Sequence, residues 1–308
     1  MPADGSHRTN RPPAEAGSIT ILALWSVAII AVLLAAATAT TRTELLTTQN
    51  AIAESQARLA AVAGTQLGLA RLLRRRAAGT LVFDGTPELW RDGTIPMEIA
   101  IIDEAGKLDL NEAPLELLSG LLVAVGRPRE EAQLLACNIL DWRGGADPAC
   151  PEPGDRRRPY QRFVVPEQLA QVPGFTEPLY EAVADYVTVA TRASAIDPLV
   201  AARPVLLAIP GADATIVDAF LESRAQFHDV AAADSGLGPL RALTFVTTTP
   251  AREFTIRAIA ATPSRARYRA DLLIRLTDSS KHPFEVLAAR APPVDRGRQA
   301  SSPARGVP

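Results

Sequence analysis

Lysine is almost missing from this chain: Lys107 and Lys281 are the whole complement, so nearly all of its positive charge is arginine. Histidine is as sparse, with His7, His228 and His282 far apart and none beside a cysteine. That argues against a His-based zinc site and against a Cys–His nucleophile pair. No nucleophile–base pair, Gly-rich phosphate loop or dense ligand cluster stands out, so the expectation is a protein that is not an enzyme. A formal net charge of −2 gives no global reason to expect a nucleic-acid partner. The two cysteines, Cys137 and Cys150, are close in sequence. In an oxidising compartment they form one disulfide across a short loop; otherwise they are two free thiols, one in a helix core, and the sequence leaves both open.

Long apolar runs are missing too, with one exception. Ser18 to Ala37 (SITILALWSVAIIAVLLAAA) holds no charge, and the first charged residues outside it are Glu15 and Arg42. About twenty helical residues rising ~1.5 Å each span roughly 30 Å, the thickness of a bilayer's hydrocarbon core. His7, Arg8 and Arg11 precede the run and mark the side expected to stay cytoplasmic. The expectation is a single-pass transmembrane helix with the bulk of the chain beyond the membrane.

Three readings of this end compete. A cleaved secretory signal would use Ala35, Ala37 and Ala39 as small residues for its cleavage site, but the apolar run is longer than such signals have. The pattern also continues: Leu45, Ile52 and Leu59 recur at sevens, and Val62, Leu69 and Leu73 extend the stripe. With no proline between Ser18 and Pro87, the spacing predicts one helix from about Ser18 to Arg76, with a helix-packing seam at Leu45, Ile52, Leu59, Val62 and Leu69. A plain anchor with a stalk is the second reading. In the third, Glu15-Ala16-Gly17 before Ser18 resembles the leader of type IV prepilins, cut after a glycine by a prepilin peptidase that leaves the apolar segment in place. The resemblance implies that Gly17 ends the leader and Ser18 becomes the new N-terminus. It departs from the family's usual pattern at Ser18, which is not large and apolar, and at the fifth mature position, where Leu22 replaces the usual glutamate. A carboxylate inside a bilayer is costly unless paired. In that family its partner is the N-terminal amine of the subunit ahead, so Leu22 marks a subunit with nothing ahead of it.

Further on, Met97 to Ile102 reads as a half-buried strand. Helices are expected at Pro114–Ala124, capped by Asn111, and at Glu130–Trp142, with Leu134, Leu135, Ile139 and Leu140 inward. Others are expected at Pro166–Val172, Glu177–Val189, Pro198–Ala208 and Thr215–Ala225. Val172-Pro173-Gly174 and Ile209-Pro210-Gly211 each sit between two helices, the pattern of a helix-hairpin-helix unit. DNA-binding versions grip phosphate with the turn's N–H groups, whereas Glu177 and Asp213 here repel it. Strands return at Thr244–Thr247, Glu253–Ala260, Arg265–Leu276 and Phe284–Ala288. One strand before the helices and several after them predict an α+β fold: an antiparallel sheet on the long helix, with a large all-α insertion of helix-hairpin-helix (SAM-like) type.

Several segments together resemble type II secretion system protein K, the large minor pseudopilin. Asp103-Glu104-Ala105-Gly106-Lys107-Leu108-Asp109-Leu110-Asn111 is similar to that family's DE-G-K segment, Ile139-Leu140-Asp141-Trp142-Arg143 to its IxDWxD, and Glu167-Gln168-Leu169 with Val172-Pro173-Gly174 to its EEL-xxV-x-G. The match covers about Gly17 to Ala289; after Trp142, where the family usually continues with aspartates and a GAE-like run, this chain reads Arg143-Gly144-Gly145-Ala146-Asp147, and the GAE is absent. The resemblance implies a pilin-like fold and a subunit of the bacterial inner membrane with its bulk in the periplasm. It implies that the subunit initiates and caps the tip of the pseudopilus, with minor pseudopilins I and J, other pseudopilins and the inner-membrane secretion platform as partners. It also implies calcium in the insertion, for which Asp141, Asp147, Glu152 and Asp155 offer oxygen ligands; a solvated acidic loop is the other reading. On this basis the chain divides into a leader (1–17), membrane part (18–41) and exported part (42–78) of the long helix, first sheet part (79–111), helical insertion (112–240), second sheet part (241–289) and tail (290–308). The alternative in another class is a membrane-anchored helix-hairpin-helix DNA-binding protein of competence.

Overall fold

The computed structural model describes positions 16–78, 83, 85–91, 93, 95–145, 147–151, 161–224, 237–249, 252–264 and 266–291; the side chains of 16–19, 37–46 and 242 lie outside that description. α1 runs unbroken from Ala16 to Ala77. No proline interrupts it, and Arg74, Arg75 and Arg76 place cations in its last turn, where the helix dipole favours them. The chain divides into two units after Ser55. The first contains the N-terminal part of α1, and every side chain described there from Thr20 to Ala36 is exposed.

The second unit holds a five-stranded antiparallel sheet in the order β1 (Glu88–Trp90), β2 (Met97–Asp103), β5 (Glu253–Ala261), β6 (Arg267–Leu276), β7 (Phe284–Arg290). β2 and β5 pair from Met97 with Ala260 to Asp103 with Phe254. Alternation then decides the faces. Phe254, Ile256, Ala258 and Ala260 of β5 point one way with Met97, Ile99 and Ile101 of β2 and Ala270, Leu272, Ile274 and Leu276 of β6, all buried. Against this face lies the part of α1 from Gln56 onward, through Ala61, Leu69 and Leu72. Contact is close because the helix offers Gly64 and Gly68: a Cβ on Gly64 would sit 2.8 Å from the Ala258 Cβ, and one on Gly68 would overlap Ile256.

Between the neighbouring strands β2 and β5 the chain leaves the sheet and builds a helical region with a core of its own. It contains β3 (Leu108–Asp109), α2 (Leu115–Ala124), α3 (Arg129–Trp142), α4 (Glu177–Val183), β4 (Val187–Thr188), α5 (Arg203–Leu207) and α6 (Ala214–Arg224), with 3-10 turns at Pro166–Gln171 and Gly238–Ala242. Cys137 in α3 is bonded to Cys150, their Cα atoms 5.5 Å apart.

Several expected elements are corrected. The helix expected over Glu177–Val189 stops at Val183, because Val187 and Thr188 pair in parallel with Leu108 and Asp109 as a two-stranded sheet. The one expected over Pro198–Ala208 shortens to Arg203–Leu207, and Pro166–Gln171 is a 3-10 turn. Thr244–Thr247 is no strand; Val246 makes one isolated bridge to Ile196. Leu134 is 53% exposed, so α3 turns Ala132, Leu135, Ala136, Ile139 and Leu140 inward instead. Asn111 does not cap α2, whose N-cap position is Pro114 without a side-chain bond.

Candidate functional site

The segment Asp103–Asn111 joins the sheet to the helical region, and nearly every residue in it has a distinct bonding role. Asp103 ends β2, and its carboxylate accepts the Ala105 N–H at 2.9 Å. Burial pushes this carboxyl up to about 8 against that hydrogen bond, and the carboxylates of Asp197, Glu104 and Glu253 add to the rise. Glu104, itself buried, is paired with Lys107 at 2.6 Å, one of the chain's two lysines. Gly106 lies so close to the Val200 carbonyl that a Cβ there would stand 2.7 Å from its oxygen. Leu108 and Leu110 donate their N–H groups to Tyr186 and Thr188. Asp109 accepts from the backbone of Asn111 and Arg192, both at 2.9 Å, and from the Thr191 hydroxyl at 3.2 Å. Burial nevertheless holds its carboxyl above the usual range. Asn111 pairs through both ends of its amide with the backbone of Phe163, at 3.0 and 2.8 Å.

The Ile139–Arg143 segment meets this junction, whereas the Glu167–Gly174 segment reaches β7. Arg143 donates to the carbonyls of Leu110 (2.8 Å) and Ala113 (2.6 Å), clamping the start of α2 to the end of α3. Trp142 stacks on Phe163 with ring centroids 6.0 Å apart. Glu167 reaches Arg290 of β7 at 3.0 Å.

The sheet face turned away from α1 mixes charge with hydrocarbon: Arg257, Arg269, Asp271 and Arg275 share it with the buried Ala100 and the half-buried Ile102, Ile259 and Leu273. Arg257 of β5 meets Asp185 at 3.1 Å and Asp271 of β6 at 3.4 Å, and Arg269 also pairs with Asp271. Burial tends to raise Asp185, but the guanidiniums of Arg257 and Arg269 outweigh it and hold the carboxyl below its usual range. Ion pairs thus run from the helical region to the sheet, while α1 packs on the opposite, apolar face.

The expected seam on α1 does not run as one face. Leu69 is buried at 6% on the sheet side, whereas Ile52, Leu59 and Val62 are 53%, 71% and 47% exposed. The face that packs on the sheet is made instead of Ala61, Gly64, Thr65, Gly68, Leu69 and Leu72. The Leu45 side chain lies outside the described residues. In the first unit Ile21, Leu22, Leu24, Trp25, Val27, Ile29, Ile30, Val32, Leu33 and Leu34 are all more than half exposed, Leu22 at 68%. Gly17 and Ser18 fall in the first turn of α1. Among the described residues no helix is long and apolar enough to cross a membrane; the run Ser18–Ala37 extends at both ends beyond the side chains described.

The two Pro-Gly turns are alike. Gly174 and Gly211 both have φ +86°, a conformation that glycine adopts without penalty. Phe175 donates to the Val172 carbonyl and Ala212 to that of Ile209, at 3.1 and 3.0 Å. At α6 the Asp213 carboxylate accepts the Ile216 N–H at 2.9 Å. An N–H of the kind that would grip phosphate is thus already satisfied by a negative group. At Gly174 the neighbour is Leu135, 2.8 Å from a hypothetical Cβ, so this turn packs on α3.

Of the four carboxylates offered to calcium, Glu152 and Asp155 lie outside the described residues. Asp147 accepts the Ala149 N–H at 2.8 Å, and Asp141 lies in the last turn of α3. Among the described residues no group of three or more His, Cys, Asp or Glu side chains is placed to hold a metal ion.

No known family model matches this sequence, and no curated protein does. Among solved structures, the chain is similar to a chain of the crystal structure of the GspK-GspI-GspJ complex from the enterotoxigenic Escherichia coli type 2 secretion system, with a TM-score of 0.49 and 16% identity over 82% of this chain and 99% of that one.

Proposed function

We propose that this chain is a minor pseudopilin of the type II protein secretion system, held in the bacterial inner membrane, that initiates and caps the periplasmic pseudopilus. One observation carries the reading. α1 presents a charge-free, largely apolar exposed surface over the side chains described from Thr20 to Ala36, and from Gln56 onward it offers a small-residue face that packs on an antiparallel sheet. A helix of that kind is suited to two environments in turn, lipid and a bundle of similar helices. Leu22 is consistent with a first subunit, since it needs no amine ahead of it. The helical region emerging between β2 and β5 supplies bulk that opposes addition of a further subunit.

The proposed partners are pseudopilins of classes I and J together with the other pseudopilins, with prepilin peptidase cutting between Gly17 and Ser18. Calcium belongs to the proposal as a ligand of Asp141, Asp147, Glu152 and Asp155, whose hard oxygen donors suit it. Equilibrium dialysis against calcium tests that part: binding lost in Asp147→Ala supports it, and no binding removes it.

The experiment that decides the main reading is the N-terminal sequence and mass of the protein taken from membranes. A start at Ser18, abolished together with secretion by Gly17→Val, is the expected result. A start near Thr38 or Ala39 would mean an exported soluble protein and end the fibre mechanism. An intact Met1 would leave a plain anchor.

A further inference from the structure

Near the C-terminal end of α1 a cleft of about 390 Å³ opens between the helix and the β1 edge of the sheet. Leu67, Gly68, Trp90 and Ile99 give it apolar walls, and Arg71, Arg74 and Arg75 enter from the helix. Two of these arginines share one carboxylate: Arg71 and Arg75 both pair with Glu88 of β1. Arg75 also lies over the Phe83 ring, 5.2 Å from its centroid. Arg74 lines the same cleft with no carboxylate partner among the described residues. The described lining thus holds three arginines on apolar ground, two of which reach Glu88 of β1. Beside it, among the described residues β1 pairs with β2 alone and forms the outer edge of the sheet. An edge strand leaves backbone N–H and C=O groups available to a further strand.

From these features together we infer that this cleft is a docking surface for an extended, acidic segment of another protein, which adds along β1, places an aromatic or aliphatic side chain against Trp90 and Leu67, and sets a carboxylate on Arg74. Charge complementarity commits the occupant to an acidic sequence. The open strand edge favours a polypeptide over a lipid or a free carboxylic acid, neither of which has a backbone to pair. The inference stands apart from the proposed secretion role, because it identifies the partner by chemistry alone.

The test uses the full chain in detergent and a fluorescein-labelled peptide, Glu-Val-Glu-Phe-Glu-Val-Glu, read by fluorescence anisotropy. Saturable binding should weaken at least about tenfold in Arg74→Glu, a loss of about 1.4 kcal/mol, with the melting temperature unchanged. The same peptide with glutamine for glutamate should bind at least about tenfold more weakly, and added salt should weaken the acidic one. Arg74→Gln, expected to show a smaller loss, replaces Arg74→Glu if the latter does not fold. No binding, binding indifferent to Arg74, or equal binding of the glutamine peptide would overturn the inference. So would decanoate binding at Arg74 without any binding of the peptide.

Discussion

Asp103 is a buried carboxyl at the end of β2, facing Asp197, Glu104 and Glu253, with its proton retained to about pH 8. The unfolded chain releases that proton near 3.8. Between these values the folded state binds more protons than the unfolded one, so stability falls as pH rises, and the fall ends above the folded value. Its steepest slope is about 1.4 kcal/mol per pH unit. Asparagine keeps the oxygen that accepts from Ala105 and has no proton to lose. Urea unfolding of Asp103→Asn at pH 5 and pH 8 should therefore show a smaller loss than the parent chain; equal losses would assign the pH dependence elsewhere. Asp109, also raised by burial, contributes in the same direction and remains in the variant. Asn111 and Arg143 show how roles escape a one-dimensional reading. A helix cap looks the same in sequence as an amide that pairs with the backbone of a loop residue fifty-two positions away. An arginine in an acidic motif looks like a lost ligand until its guanidinium is seen on the carbonyls of Leu110 and Ala113.

Among the elements, α1 separates two kinds of apolar residue. The sheet takes the face with Ala61, Gly64 and Gly68, because small residues let the helix backbone approach the β5 side chains. The larger Leu59 and Val62 stay outside. A search for large hydrophobics at sevens therefore finds the exposed stripe and misses the buried one, whose signal was the Gly64–Gly68 spacing. Arginine at both Leu59 and Val62 should leave the melting temperature within about a degree, as surface changes usually do. On the proposed function it should abolish cross-linking to the partner pseudopilins. A large drop in melting temperature would mean that these residues support the fold rather than assembly. The helices were legible to within a residue at Leu115–Ala124, Arg129–Trp142 and Ala214–Arg224, where proline, glycine or a clear period marks the ends. Val187 and Thr188 were misread as helix because their β character comes from Leu108 and Asp109, about eighty positions earlier.

For the second unit taken together, the two sheet faces differ: apolar toward α1, and on the other side a mixture of apolar residues with an ionic layer that reaches the helical region. The Arg257–Asp185 pair tests whether that ionic layer holds the parts together. Its side chains are 20% and 42% exposed, so solvent screens it and a double-mutant cycle should give a coupling of about 1 kcal/mol or less. Raising salt from about 0.1 to about 1 M should reduce the coupling further. Coupling insensitive to salt would mean that packing, not charge, joins the two. Much of this organisation was open to reading beforehand. An uncharged twenty-residue run, a helix without proline, a strand that alternates from Glu253 to Ala258 and paired Pro-Gly turns are local patterns, and local sterics and hydrophobic period decide them. Tertiary structure alone decided which face of α1 is buried, where the helix before Thr188 ends and the one before Ala208 begins, and that Cys137 meets Cys150. It also decided that the DE-G-K segment is a junction, with Asp103, Glu104 and Asp109 buried in it. Periodicity says that a face exists; only the partner packed against it determines whether large or small side chains, and charged or neutral ones, are the ones buried.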